Sequence, residues 1–131
     1  MKYMLMMQAP RAMFQEYYSW PIEDIKAQVA FMRRFNDELK TSGELVHTHG
    51  LAGPEEAKIV RVGKDGAPEV TDGPFAEAKE FLAGFWIVDC ESRERAYEIA
   101  ARASSAPGKG GATARIPIEV REVMGRAPVD V

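Results

Sequence analysis

An α+β chain with a ferredoxin-like antiparallel sheet and two helices on one of its faces is predicted by three observations. The first is a long amphipathic helix between Pro21 and Thr41. The second is a strand from Phe81 to Val88 that is apolar on both sides. The third is the order of elements: strand, helix, strands, helix, strand. Helices gathered on one face of a mainly antiparallel sheet form a two-layer unit around one core.

The elements follow from local pattern. "KYMLMMQA" reads as a buried first strand stopped by Pro10, and "RAMFQEYYSW" reads as a loop or a single turn. From Pro21 to Thr41, Ile22, Ile25, Val29, Met32, Phe35 and Leu39 recur at steps of three and four, so they share one helical face. Pro21 suits the first helical position and Gly43 the end. "ELVHTHGLA" alternates, placing Leu45, His47, His49 and Leu51 on one side of a short strand. "AKIVRV" and a return strand ending near Thr71 flank the hairpin chemistry of "GKDGAPE".

"EFLAGFWIVDC" sets Phe81, Ala83, Phe85 and Ile87 on one face and Leu82, Gly84, Trp86 and Val88 on the other. Both faces call for cover. In "SRERAYEIAARAS", Ser92 suits an N-cap, and Ala96, Ile99, Ala100 and Ala103 make a small-residue face. "APGKGGATA" reads as the most mobile loop, and "RIPIEVREV" as the last strand. Residues 1–124 are read as one domain and residues 125–131 as a loose tail.

Two helices cover one sheet face only. Leaving large side chains of the central strand wet on the other would forgo ~1.5–3 kcal/mol each. A second copy docked there as a two-fold dimer is the simplest cover, and closure by the chain's own loops is the alternative.

Composition narrows the function classes. At 131 residues the chain is one domain of ordinary size; 46% apolar residues support a core and 28% charged residues a wet surface, which argues against disorder. A net charge of -3 without a basic stripe argues against nucleic acid. No apolar run approaches the ~20 residues of a membrane span, so no membrane partner is expected. The single cysteine, Cys90, allows no intrachain disulfide, and a cytoplasmic setting is the expectation.

The densest chemistry lies in "VTDGPFAEAKEF", residues 70–81. Asp72-Gly73-Pro74 is turn chemistry, and "AEAKE" supplies helix formers for about one turn. Asp72, Glu77 and Glu80 with Lys79 form a carboxylate cluster, and such clusters can separate into an acid and a base. The alternative is a solvated charged turn. His47 and His49, two apart on a strand, point to one side. One of them, with His47 preferred as the deeper, could work with Asp72. A metal needs a third ligand, none stands at a telling spacing, and no metal or other cofactor is assigned. Arg61 and Arg121 lie on strands, where they could hold an anionic group or pair with Glu69 and Glu119. Cys90 sits between Asp89 and Glu91, which disfavour a thiolate. Tyr17, Tyr18 and Trp20 cluster before the long helix, to line a pocket, a subunit contact or, as the preferred reading, the core.

"VTDGPFAEAKEFLAGFWIVDCES" resembles the signature of YCII-related proteins, in the subgroup named for its Asp-Gly-Pro-Phe motif. The residues that match are Asp72, Gly73, Pro74, Phe75, Glu77, Lys79, Glu80 and Gly84. "KYMLMM", the Gly-Glu-Leu of residues 43–45, Gly50-Leu51 and "EVREV" fit the same pattern, so the resemblance spans nearly the whole chain. It departs after "EVR", where Glu122 and Val123 stand in place of the usual proline. The resemblance implies a ferredoxin-like subunit assembled as a dimeric α/β barrel. It also implies, through broader relatives, a His–Asp pair in a cleft, and, through genomic neighbours in bacteria, a link to extracytoplasmic-function sigma factors.

Two functions are carried forward. In the first, the chain is a small cofactor-free enzyme of isomerase or lyase type. Asp72 and His47 would transfer protons, Glu77 and Glu80 would shape the site, and Arg121 or Lys79 would hold an anionic group. In the second, it is a binding or regulatory module for a small-molecule ligand or a partner such as a sigma factor, and the motif is a structural latch.

Overall fold

The computed structural model describes residues 1–125. Chain order is β1 (Lys2–Ala9), α1 (Arg11–Tyr17), α2 (Ile22–Ser42), β2 (Leu45–Gly50), β3 (Lys58–Val62), β4 (Pro68–Asp72), β5 (Phe81–Asp89), α3 (Arg93–Ser104) and β6 (Ile118–Glu122). β2, β5, β1 and β6 form, in that order, a four-stranded sheet whose neighbours are all antiparallel. This is the α+β, ferredoxin-like arrangement the element order predicts. β1 and β2 flank β5, and α2 carries the chain between them. β3 and β4 form a separate two-stranded hairpin.

The core lies between the sheet and the helices. Tyr3, Leu5, Trp86 and Val88 of the sheet meet Phe35 and Leu39 of α2 and Ala96, Ile99 and Ala103 of α3, all buried. Alanines on α3 let that helix lie close to the sheet. Gly43 ends α2 in the left-handed region, at φ 80°, with its N–H on the carbonyls of Leu39 and Lys40. Ser92 caps α3 by accepting from the Arg95 N–H at 3.1 Å. The apolar stripe of α2 is only partly used: Phe35 and Leu39 are buried, but Ile22 is 61% exposed. The helix outruns the sheet beneath it.

Four expectations change. "RAMFQEY" is a seven-residue helix, α1, held onto the end of β1; Pro10 stops the strand and begins the helix instead of opening a loop. A register shift between Leu45 and His47 breaks the alternation in β2. Leu45 therefore packs on the core, while His47 and His49 stand with Ile87 and Phe85 on the other face. A second shift opposite Met7 and Gln8 interrupts β5 at Ala83. Lastly, residues 107–113 are a folded loop. Pro107 bridges Thr113, and the Gly110 N–H donates to the Asp24 carboxylate at 2.9 Å, fastening the loop to the start of α2. Of the tail expected at 125–131, residues 126–131 lie outside the described residues.

Candidate functional site

The Asp-Gly-Pro stretch closes the base of the β3–β4 hairpin. Lys58 and Asp72 face each other across the two strands, with Nζ 2.6 Å from Oδ1. That contact holds the Asp72 carboxyl below its usual range and the Lys58 ammonium above its own, both through their mutual hydrogen bond first and charge second. The pair is open to solvent, the Asp72 side chain being 92% exposed. The Gly73 N–H donates to the Ala57 carbonyl at 2.9 Å, and a Cβ on Gly73 would sit 3.1 Å from that same oxygen. The Gly73–Pro74 peptide is cis. Residues 73–80 then form turns, with the Ala78 N–H on Phe75 O at 3.1 Å, in place of the helical turn that "AEAKE" predicts.

The predicted site residues therefore do not share one surface. Asp72 pairs with Lys58 on the hairpin. Glu77 and Lys79 are exposed on the turn, and Glu80 borders a hollow of about 440 Å³ shared with Leu51, Pro54, Glu56, Phe75 and Phe81. Arg61 on β3 stands opposite Glu69 in register, the cross-strand partner that was the alternative to anion binding. Arg121 lies on β6 opposite Met4; the neighbouring Glu119 accepts from Gln8 at 2.9 Å. His47 and His49 do share a face, with ring centroids 4.4 Å apart at 76°, each 6.1 Å from the Phe85 ring. Among the described residues no group of three or more His, Cys, Asp or Glu is placed to hold a metal ion. The buried Cys90 thiol is pushed up chiefly by burial, and it donates to Ser92 O at 3.3 Å.

A more enclosed concavity than that hollow lies elsewhere, on the helix side of the sheet. It is a cleft of about 400 Å³ between the β1–β5–β2 end of the sheet and the corner made by α1 and α2. Met7, Ala83, Gly84 and Trp86 form its floor; Met13, Phe14 and Tyr17 of α1, Tyr18, Trp20, and Gln28, Met32 and Asn36 of α2 form its walls; Thr48, His49 and Leu51 close its rim. The overhang of α2 and the unforeseen helix α1 create it. Among the described residues, no Asp, Glu, Lys or Arg lines it. Ligand sites are typically of this kind: concave, mostly apolar, with a few placed polar groups.

Those polar groups are fixed by their neighbours. Trp86 Nε1 donates to Asn36 Oδ1 at 2.8 Å. Thr48 Oγ1 donates to the Phe85 carbonyl at 2.9 Å. Tyr17 packs against Trp20 at 5.1 Å and Tyr18 at 5.7 Å, and its phenol is pushed up by burial first and Tyr18 second, so it stays a protonated donor at neutral pH. Of the two histidines, His49 reaches this lining and His47 does not.

Sequence reasoning passed over Asn36, Trp86, Met13 and Phe14 as site residues. A signal was present in the Tyr17, Tyr18 and Trp20 cluster, for which a pocket was one of three readings. The decisive feature, a helix overhanging a sheet, has no one-dimensional trace.

A segment of 37 residues is 51% identical to the uncharacterized protein R00369 of Rhizobium meliloti (strain 1021); it spans 28% of this chain and 30% of that protein. The family model of the YCII-related domain matches residues 1–121, from β1 into β6. The chain therefore belongs to the YCII-related domain family.

Proposed function

We propose that this chain is a small-molecule-binding module whose ligand occupies the cleft between the sheet and the α1–α2 corner. The observation that carries the reading is the coincidence of enclosure and composition: about 400 Å³ of aromatic and methionine lining with Asn36, Gln28, Thr48, His49 and Tyr17 among its polar groups. The acid–base reading built on Asp72 and His47 has less support. Asp72 is engaged by Lys58 at an exposed hairpin, and His47 is outside the cleft. The Asp-Gly-Pro-Phe stretch, which supports placing the chain in that subgroup, acts in this reading as a latch on the hairpin.

Both tryptophans of the chain, Trp20 and Trp86, line the cleft. Intrinsic tryptophan emission is thus a direct reporter of occupancy. Titration with a panel of neutral aromatic compounds should shift or quench that emission and raise the melting temperature, since ligand at ~100 times its Kd adds roughly 2.7 kcal/mol of stability. A panel that moves neither signal at millimolar concentration would defeat the reading.

The module works, in this proposal, as a homodimer. Met4, Met6, Phe85 and Ile87 lie half-buried on the sheet face away from the helices, and a two-fold copy would cover them. A partner protein such as a sigma factor has a different candidate surface, the β3–β4 hairpin. There Val60 faces Val70 across the strands, 60% and 58% exposed. Co-sedimentation with an extracytoplasmic-function sigma factor at micromolar concentration tests this, and loss of any complex on Val60→Lys would assign it to the hairpin.

A further inference from the structure

The cleft has one hydrogen-bond donor whose direction is dictated by its neighbour. An indole N–H can only donate, so Trp86 Nε1 must face an acceptor, and at 2.8 Å that acceptor is Asn36 Oδ1. The amide is thereby oriented: its oxygen is spent on Trp86 and its –NH₂ is turned elsewhere. No acceptor among the described residues takes either of those N–H groups, and Asn36 lines the cleft. Trp86 is itself locked, 5% exposed and edge-on to Phe35 at 5.6 Å. A donor held by a buried tryptophan does not have to be ordered when a ligand arrives, which lowers the entropic cost of the bond.

Among the described residues the same lining carries no Asp, Glu, Lys or Arg. A charged ligand would lose its water without gaining a counter-ion, a heavy penalty in an apolar site. Phe14, Tyr17, Tyr18 and Trp20 on one wall and Trp86 on the floor favour a flat ring.

Resting on the ligand-binding reading above, we infer that the cleft selects a neutral, planar aromatic ligand carrying a carbonyl-type acceptor, an aryl ketone or quinone-like group, which the Asn36 amide N–H engages. The Tyr17 phenol is a further donor within the same lining.

The test uses three probes of one shape on the wild-type chain: 2-acetylnaphthalene, 2-isopropylnaphthalene and 2-naphthoate, each followed by equilibrium dialysis. The ketone is expected to bind about 3- to 10-fold more tightly than the isopropyl compound, the range of one net hydrogen bond. The naphthoate should bind most weakly. Equal affinity for ketone and isopropyl compound overturns the inference while leaving the cleft a binding site, and so does a naphthoate that binds best. No binding by any of the three removes the ligand-binding reading itself. In Asn36→Asp, a carboxylate still accepts from Trp86 but donates nothing; the ketone preference should vanish there, and its survival assigns the preference to another group. Because the three-probe comparison uses the unaltered chain, a variant that fails to fold does not shield the inference.

Discussion

Gly84 shows how much one missing side chain decides. A Cβ at this position would stand 2.9 Å from the His49 carbonyl and 3.3 Å from Gly50 Cα, so β2 can approach β5 only because no side chain is there. Gly84, on the cleft floor, faces Gly50 in register, and both line the cleft. Gly84→Ala should destabilise the fold by roughly 1–3 kcal/mol through overpacking, read as a lower denaturant midpoint with an unchanged slope. Glu44 is the second residue of consequence. Arg95 meets it through Nε and Nη2, each at 2.8 Å, joining the start of α3 to the start of β2. The Arg95 hydrogen bond is the main cause holding the Glu44 carboxyl below its usual range, against a smaller opposing effect of burial. A depressed carboxyl contributes stability that is complete above its unfolded pKa and is lost as pH falls through its folded one. Stability should therefore decline on the acid side of the ordinary carboxylate range. Glu44→Gln should flatten that acid limb in urea melts while leaving the shape of the profile above pH 6 unaltered. An acid limb identical in the variant would refute the assignment. Gly84 was visible in the sequence as part of a motif; the Glu44–Arg95 partnership, 51 residues apart, was not.

Elements followed their local signals wherever periodicity was long. The 21 residues of α2 and the nine of β5 were legible because several turns or pleats repeat one pattern, and Gly43 and Ser92 mark ends by backbone and capping chemistry. Short elements were not. The seven residues of α1 give too few repeats for a period, and their helix is completed by the docking of Met13, Phe14 and Tyr17 over the cleft. The loop at 107–113 reads as mobile from its glycines, yet Asp24 anchors it from 86 residues away. Asp24→Ala should speed hydrogen exchange at the Gly110 amide with less than about 1 kcal/mol of lost stability, as for an exposed polar contact. Unchanged exchange would show that the loop holds itself. The β3–β4 hairpin has the opposite character. Its base rests on a solvent-exposed ion pair and the Gly73–Ala57 hydrogen bond. Asp72→Asn should loosen amide protection around Lys58 and leave the melting temperature of the chain almost unmoved, as screened surface pairs do. A large loss of global stability would mean that the hairpin is part of the main cooperative unit.

At the scale of the whole molecule, the sheet divides two chemistries. Its helix side carries the core and the cleft; its other side carries Met4, Met6, Phe85 and Ile87 beside His47, His49, Glu119 and Arg121. In the proposed dimer the apolar centre of that second side is covered. Sedimentation velocity at low micromolar concentration should give a species of twice the 14.6 kDa of one chain. Phe85→Glu should return it to a single copy without unfolding, because Phe85 belongs to the open face and not to the buried core. A wild-type protein that sediments as one chain at those concentrations excludes the assembly.

By itself the sequence determined the α+β class, the long helix, the twofold-apolar central strand, and, through its Asp-Gly-Pro-Phe stretch, the family. These are properties of repeated local patterns and of turn residues with few conformational options. Where the predicted site residues ended up was decided only in three dimensions. One register shift in β2 turned Leu45 and His47 to opposite faces of the sheet, and the hairpin carried Asp72 to a lysine. The corner between α1 and α2 made a cleft with the sheet from residues that the sequence reading had assigned to separate roles. Such a concavity depends on where separate elements stop relative to one another, and no window of sequence contains that distance.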